Sequence, residues 1–283
     1  MRALVFGGEG MLGQAVAAEG QRRGATVEAL GRQRADITDG AAVGRWVDEQ
    51  RPEVIFNCAA FTKVDDCEAQ SALADQVNGH AVGHLVPAAR RVGAHLVQVS
   101  TDYVFDGQAT SPYGEDHPTA PASAYGRSKL LGEQQALAYE HGLAVRVSWL
   151  FGPGGPNFAA TMVRLMDSGH QQLRVVDDQK GCPTYTPFLA EALWRLAELR
   201  TTGILHYCNR DAVTWYGFTR EIARHWNDTV EVLPVTTDEF PRPAPRPAYS
   251  VLDVARYESL VGERVPTWES GLVEYLAGLR QRR

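Results

Sequence analysis

A glycine-rich turn between a strand and a helix is the feature of this chain that most constrains its fold. Residues 2–6 form a short apolar run typical of a buried strand, and a helical pattern follows the turn Gly-Gly-Glu-Gly-Met-Leu-Gly at residues 7–13. Glycines at this spacing, taken as 7, 10 and 13 or as 8, 10 and 13, permit a tight turn that lets the backbone approach a pyrophosphate at the helix N-terminus. The sequence therefore predicts dinucleotide contacts at Gly7, Gly10, Met11, Leu12 and Gly13.

Strand-like and helix-like segments alternate regularly as far as residue 149. This alternation predicts an α/β fold in which a doubly wound parallel sheet of the Rossmann type carries helices on both faces. Beyond residue 150 the alternation loosens into shorter elements. We therefore expect a dinucleotide-binding Rossmann domain over residues 1–150 and a smaller C-terminal substrate lobe over residues 151–283, partly interleaved with the first.

Two local expectations concern helices. A long helix over residues 71–92 is expected to kink or break at Pro87, because proline lacks the backbone donor that a helix interior needs. The closing helix is expected over residues 268–279, and the arginine-rich end, residues 280–283, is expected to be a frayed tail.

Composition excludes several classes of function. With 34 acidic against 28 basic residues, the net charge of −6 gives no general attraction to nucleic acid or to an anionic membrane. No apolar run reaches the ~18 residues that indicate a membrane span, and the amino terminus does not resemble a signal peptide, so a cytoplasmic location is expected. The four cysteines lack the spacing of a metal site, so we expect reduced thiols and no metal.

The loop after the second strand indicates which dinucleotide is used. An acidic residue that binds the ribose hydroxyls usually follows this strand, but residues 31–34 read Gly-Arg-Gln-Arg. Because an arginine suits a 2′-phosphate, Arg32 favours NADPH and leaves NADH as the alternative; the other interpretation is that Arg32 and Arg34 are solvated loop charges. Further cofactor contacts are expected at Asp36, Ile37, Ala59, Ala60, Thr62 and Ser100.

Candidate catalytic residues follow a buried strand that we expect over residues 95–100. Thr101 lies where this strand ends, at the edge where open α/β sheets bind ligands. Tyr125 and Lys129 lie four residues apart, which on a helix places them on one face. An ammonium beside a phenol lowers the pKa of the tyrosine toward the range useful for acid–base catalysis. Alone, such a pair is better explained by a half-buried tyrosine and a solvated lysine, but its position after a dinucleotide loop and a Ser-Thr-Asp strand end favours catalysis.

A proline-rich segment at residues 241–249 has two interpretations of equal weight. One is a stiff connector, or a ligand for a proline-recognition module. The other is a rigid loop that presents Arg246, or less favourably Arg242, to a phosphate group.

Together, these motifs resemble the extended short-chain dehydrogenase/reductases, and among them the dTDP-4-dehydrorhamnose reductases. The similar stretches are residues 7–13, 57–65, 100–105, 125–129, 148–149, 157–158, 178–184 and 246–250. The resemblance implies NAD(P)H-dependent reduction of the 4-keto group of dTDP-6-deoxy-L-lyxo-4-hexulose to dTDP-L-rhamnose. It implies Tyr125 as proton donor, Lys129 as the residue that holds the nicotinamide ribose, and Thr101 as a second donor to the carbonyl oxygen. The substrate contacts that it implies are Val64, Thr101, Asp102, Tyr103, Tyr125, Trp149, Asn157 and Arg246.

The chain also departs from the pattern of these reductases. Some members dimerise through a metal held by glutamates, but Ala15 and Pro187 stand at those places here, so we expect a monomer or a homodimer without that metal. The alternative functions are another nucleotide-deoxysugar 4-ketoreductase, a 4-epimerase, or a non-catalytic regulatory subunit. Epimerases usually carry the acidic residue that Arg32 replaces, and the intact catalytic residues argue against a regulatory subunit.

Overall fold

Strands and helices alternate through the first half of the computed structural model, which describes residues 1–282. The strands are β1 (Arg2–Phe6), β2 (Thr26–Leu30), β3 (Val54–Asn57), β4 (His95–Thr101), β5 (Gly142–Val147), β6 (Leu150–Phe151), β7 (Gln172–Val176), β8 (Lys180–Gly181), β9 (Thr184–Tyr185), β10 (Gly203–His206), β11 (Val213–Thr214) and β12 (Glu231–Val235). The α-helices are α1 (Met11–Arg22), α2 (Gly40–Gln50), α3 (Val64–Ala69), α4 (Ser71–Ala74), α5 (Val82–Val92), α6 (Ala124–Leu137), α7 (Phe158–Asp167), α8 (Thr186–Glu198), α9 (Trp215–Trp226), α10 (Ala255–Val261) and α11 (Trp268–Gln281).

The main sheet has the topology predicted from the alternating pattern. Within residues 1–282, six parallel strands lie in the order β10, β5, β4, β3, β1, β2, which confirms the Rossmann-type α/β fold. The strand order reverses between β1 and β3, and Phe6 at the end of β1 pairs with Leu30 on one side and Asn57 on the other. A ligand-binding crevice forms at the carboxyl ends of strands beside such a reversal.

Helices cover both faces of this sheet. On one face, α1 and α8 pack against the sheet through side chains such as Val16, Leu193 and Trp194, all fully buried. The indole nitrogen of Trp194 donates a hydrogen bond to the carbonyl oxygen of Val16 at 2.8 Å, which joins the two helices. On the other face, α2 and α5 pack through Val43 and Leu85. Because helices pack on both faces of the sheet, the positions of the strand ends that carry the site are fixed.

Residues beyond 150 contribute to the main sheet as well as to a separate core. Strand β10 pairs with β5, and α8 packs against α1. The remaining elements form a second core, in which α7, α9 and α11 surround side chains such as Phe151, Phe218 and Trp268. The division of the chain at residue 150 stays a prediction.

The predicted helix over residues 71–92 is in fact interrupted, but not at the proline. Helix α5 continues through Pro87, and the irregular turn lies earlier, in a π-helical segment, Asp75–His80. Within this segment the Asn78 side chain bonds to both the N–H (2.7 Å) and the carbonyl oxygen (3.0 Å) of Phe61, and its amide donates to the Ser128 hydroxyl at 2.9 Å. The π turn therefore ties the loop after β3 to helix α6.

The predicted frayed tail is also wrong for its first residues. Helix α11 extends to Gln281, because Arg280 donates a hydrogen bond to the His225 carbonyl oxygen and lies 5.3 Å from the Trp226 ring centroid. Arg283 lies outside the described residues. Among residues 1–282, no helix combines the length and the apolar character that crossing a membrane requires.

Candidate active site

The glycine loop between β1 and α1 forms one wall of the crevice. Gly7 has a φ of +75°, and a Cβ at Gly13 would collide with the Gly7 carbonyl oxygen, so both positions require glycine. Helix α1 begins at Met11, and its N-cap, Gly10, has an extended backbone and no capping side chain. The first N–H groups of α1 therefore point into the crevice without an internal partner, which is the arrangement that binds a phosphate.

A cavity of about 430 Å³, here called the glycine-loop cavity, opens beside this loop. Its lining includes half of the cofactor contacts predicted from the sequence: Gly7, Gly10, Arg32, Asp36, Ile37, Ala59 and Ala60. Arg32 forms an ion pair with Asp36 at 3.1 Å, and its side chain is 80% exposed. The size, the bare helix N-terminus and the glycine cradle fit the adenosine and diphosphate portion of a dinucleotide.

Other predicted cofactor residues lie outside this cavity. The Leu12 side chain is buried in the core beneath the sheet, and Met11 lies at the start of α1 with its sulfur 3.8 Å from the amide of Asn157. Thr62 is exposed on the loop after β3. Ser100 is buried, and its hydroxyl donates to Glu133 at 2.5 Å, so its side chain is already bound inside the protein.

Thr101 and Tyr125 are brought together at the carboxyl end of β4. The Thr101 hydroxyl donates to Asp102 at 2.9 Å and accepts from the Tyr103 N–H at 3.2 Å. Helix α6 begins at the capping residue Ser123, which places Tyr125 in the first turn. The Tyr103 and Tyr125 rings meet edge to face with centroids 5.5 Å apart. The hydroxyl groups of the site therefore come from a strand end and a helix start that pack directly on each other.

The predicted lowering of the Tyr125 pKa is wrong for this structure. Burial raises the pKa of Tyr125, the negative charge of Asp102 raises it further, and the Thr101 hydroxyl opposes the rise. The Lys129 ammonium is bonded instead to the Val99 carbonyl oxygen, at 2.6 Å. Burial lowers the pKa of Lys129 to about 8, while Glu133 acts to raise it. Tyr125 is therefore a neutral phenol at neutral pH.

A buried ion pair behind the catalytic strand was not predicted. Arg146 of β5 binds both carboxylate oxygens of Glu133, at 2.9 and 2.8 Å, and both side chains are at most 3% exposed. Glu133 lies one helical turn after Lys129, and this i, i+4 spacing is the signal in the sequence that points to it. No local pattern marks Arg146, because its partner comes from a different element.

Asp102 is a buried carboxyl group with an unusual pKa. The residue is 3% exposed, and only one of its two oxygens has a hydrogen bond of normal geometry, the one from Thr101. Burial raises the pKa of Asp102 to about 6, opposed by the hydroxyls of Thr101 and Ser250. A carboxyl group held in this way is a strong acceptor for a hydroxyl that enters the site.

A second cavity of about 510 Å³, here called the aromatic cavity, lies beyond Tyr103. Trp149 has a φ of +47° and stacks on Trp215 with ring centroids 3.4 Å apart and planes 3° apart. Arg246 of the proline-rich loop lines the same cavity and pairs with Asp65 at 2.8 Å. Of the two interpretations of residues 241–249, the structure favours the loop that presents an arginine.

Five predicted substrate residues are not part of this lining: Val64, Thr101, Asp102, Tyr125 and Asn157. The Asn157 side chain caps α7 by accepting from the Ala160 N–H at 2.9 Å, and its amide donates to the carbonyl oxygen of Gly152 and to the Tyr275 hydroxyl. These bonds hold the loop before α7, so the structure does not bring Asn157 into the cavity. Val64 is the first residue of α3, directly before Asp65.

The described residues hold no cluster of metal ligands, and their cysteines are unpaired. Among residues 1–282, no group of three His, Cys, Asp or Glu side chains could hold a metal ion. The four cysteines are free thiols, and Cys67, Cys182 and Cys208 are buried.

Comparison with known proteins identifies the relatives of this chain. The family model described as the RmlD substrate binding domain matches residues 1–281. A dTDP-4-dehydrorhamnose reductase from Streptomyces griseus is 46% identical over 286 residues, which cover 98% of this chain and 94% of that protein.

Solved structures agree with this result. A dTDP-4-dehydrorhamnose reductase from Clostridium acetobutylicum has a TM-score of 0.94 and 40% identity, covering 99% of this chain and 100% of that one. The enzyme from Bacillus anthracis, solved in complex with NADP, has a TM-score of 0.94 and 36% identity, covering 98% and 99%. The resemblance inferred from the motifs is therefore confirmed: the chain belongs to the RmlD family, together with the dTDP-4-dehydrorhamnose reductases.

Proposed function

We propose that this protein reduces the 4-keto group of dTDP-6-deoxy-L-lyxo-4-hexulose with NAD(P)H and forms dTDP-L-rhamnose. The observation that carries the proposal is the group of Thr101, Asp102 and Tyr125 at the carboxyl end of β4. Tyr125 and Phe61, which lines the glycine-loop cavity, pack against the same small apolar cluster, and Tyr103, which lines the aromatic cavity, meets the Tyr125 ring. The names of the family members that match nearly the whole chain support the same reaction.

Tyr125 is the proton donor in this proposal. When bound, NAD(P)H supplies a hydride to the carbonyl carbon of the sugar. Negative charge then grows on the ketone oxygen, and a phenol whose pKa is raised by burial carries the proton that this oxygen needs. Thr101 is the second donor, because rotation of its hydroxyl redirects the proton from Asp102 to the same oxygen.

Lys129 holds the nicotinamide ribose in this proposal. An ammonium has three donors, and the Val99 carbonyl oxygen accepts one of them. The other two remain for ribose hydroxyls. The bond to Val99 also fixes the direction of a side chain that would otherwise have many rotamers.

The aromatic cavity takes the dTDP-sugar. Tyr103 and Trp149 offer apolar surface to the sugar, together with Val64, the residue before Asp65 of the lining, and Asp102 accepts from a sugar hydroxyl. Arg246 binds the diphosphate, because a phosphate oxygen competes with the Asp65 carboxylate for the same guanidinium. The proposal also includes a cytoplasmic enzyme, consistent with its free thiols, that works as a monomer or a homodimer.

A cofactor-oxidation assay tests the proposal. The protein is incubated with dTDP-4-keto-6-deoxyglucose, the preceding 3,5-epimerase and NADPH or NADH, and the product is analysed by NMR. Stoichiometric oxidation of the cofactor with dTDP-L-rhamnose as product is the expected result. A product with another configuration at C4 would identify a different ketoreductase, and conversion without net oxidation would identify an epimerase.

A further inference from the structure

An unexpected carboxylate lies where the cofactor ribose is expected. Glu9, in the middle of the glycine loop, lines the glycine-loop cavity and reaches across to Gly31, the first residue after β2. A Cβ built on Gly31 would coincide with the Glu9 carboxyl group, so the carboxylate occupies the space that a side chain at residue 31 would fill. The absence of a side chain at Gly31 is what admits Glu9.

The end of the second strand, where the Glu9 carboxylate lies, has a defined role in dinucleotide-binding folds. The residue that follows the second strand is ordinarily acidic, and its carboxylate accepts hydrogen bonds from the adenosine ribose hydroxyls. In this chain the carboxylate reaches the same end of β2 from the loop on the other side of the cavity. The sequence pattern does not point to this carboxylate, because Glu9 comes from the loop before α1 and not from the residues that follow β2.

Arg32 lies in the same cavity with the opposite charge. Its guanidinium is paired with Asp36 and largely exposed, so a 2′-phosphate can attract it at small cost. Arg34 does not share this role, because it pairs with Glu28 at 2.6 Å and lies over the Trp46 ring. A 2′-phosphate in the cavity therefore meets the attractive Arg32 and the repulsive Glu9, besides Asp36, whose charge Arg32 already pairs, whereas a 2′-hydroxyl meets the Glu9 carboxylate as an acceptor.

We propose that Glu9 is a specificity-determining residue that favours NADH and limits the preference for NADPH that Arg32 would otherwise produce. This inference rests on the proposed use of NAD(P)H. It assigns the acceptance of both cofactors to two side chains of opposite charge that line the same cavity.

Binding of nucleotide fragments tests this inference without any turnover. Isothermal titration calorimetry at low ionic strength measures the dissociation constants of 2′,5′-ADP and 5′-ADP for the wild type and Glu9→Gln, which removes the charge and keeps the shape. Because Glu9→Gln removes the repulsion between two close charges, it should bind 2′,5′-ADP about tenfold more tightly, which corresponds to about 1.4 kcal/mol. It should bind 5′-ADP no more tightly than the wild type does.

Two further variants make the result specific. Glu49→Gln, the same change at an exposed position on α2, should leave the ratio of the two dissociation constants as in the wild type. Arg32→Ala should move the ratio in the opposite direction, weakening 2′,5′-ADP more than 5′-ADP. Fluorescence titrations with NADPH and NADH should show the same pattern.

The possible outcomes separate this inference from the proposed function. If the wild type binds both fragments and Glu9→Gln leaves their ratio unchanged, or changes it no more than Glu49→Gln does, the role of Glu9 is refuted and the reductase proposal stands. If the wild type binds neither fragment nor either reduced cofactor, both proposals fail.

Discussion

Replacing Asp102 with asparagine should make the protein more stable at neutral pH. The pKa of this carboxyl group is raised from 3.8 to about 6 by burial, so the folded state binds its proton more tightly than the unfolded state does. Stability therefore falls as pH rises from 3.8 to about 6, and the full penalty is present above that window. With 1.36 kcal/mol for each pKa unit, the penalty at pH 7 is about 3 kcal/mol.

An amide at residue 102 carries no such penalty. Its oxygen can accept the hydrogen bond that Thr101 now donates, and its nitrogen faces the place of the carboxylate oxygen that has no partner of normal geometry. Asp102→Asn should therefore raise the free energy of unfolding by up to about 3 kcal/mol at pH 7, which corresponds to an increase in Tm of roughly 5–10 °C for a chain of this size. At pH 4 the gain should fall below about 1 kcal/mol, because the wild-type carboxyl group is then largely protonated in the folded state and partly in the unfolded state.

Urea unfolding at pH 4 and pH 7 measures this effect, with the exposed Asp228→Asn as matched control. The control should change little at either pH. The same Asp102→Asn protein should lose kcat/KM by roughly 10- to 100-fold, because in the proposed site the buried charge of Asp102 binds the sugar at the expense of stability. Two results would refute the assignment of a buried, ionised carboxylate. One is an Asp102→Asn variant no more stable than the wild type at pH 7, and the other is an equal gain in the free energy of unfolding at both pH values.

Three other substitutions test the remaining groups of the site. Tyr125→Phe should lower kcat at least ~100-fold with NADPH binding nearly intact, and near-normal turnover would remove Tyr125 as the acid. Glu133→Gln should lower the free energy of unfolding in urea by about 3–5 kcal/mol, because it leaves the buried guanidinium of Arg146 without its carboxylate partner. Adding Arg146→Leu should recover part of this loss, and no recovery would mean that the unpaired charge is not its cause. Arg246→Ala should raise KM for the dTDP-sugar about tenfold or more in steady-state kinetics and leave NADPH affinity unchanged, so an unaltered KM would exclude a diphosphate contact.

The order of the elements and the placement of Tyr125 and Lys129 on one helix could be predicted because both depend on short-range patterns. The glycine loop is defined by seven consecutive residues, and Tyr125 and Lys129 are related by one helical turn. The end of β4 follows from a continuous apolar run, and that places Thr101 at the ligand-binding edge. Local spacing was sufficient for each of these assignments.

The failures share a different cause. The direction of the Tyr125 pKa shift depends on burial and on Asp102, and neither can be read from the spacing of Tyr125 and Lys129. Asn157 is predicted as a substrate contact, but its amide donates to the nearby Gly152 carbonyl oxygen and to the Tyr275 hydroxyl, which only the fold brings next to it. The carboxylate of Glu9 was overlooked because it comes from the glycine loop and meets the end of β2 only in the fold. The pKa of Tyr125, the contacts of Asn157 and the position of the Glu9 carboxylate all depend on tertiary contacts.

The buried charges of the site depend on one another. Burial lowers the pKa of Lys129 to about 8, which leaves the ammonium near the limit of being charged at neutral pH, and the Glu133 carboxylate opposes that effect. Arg146 binds both oxygens of the Glu133 carboxylate and Ser100 donates a third hydrogen bond to it, so the position of this carboxylate near Lys129 is fixed. The ion pair between Arg146 and Glu133 therefore helps to keep Lys129 charged. The strand-to-helix packing that stabilises this part of the fold is, for the same reason, part of what prepares the lysine to bind a ribose.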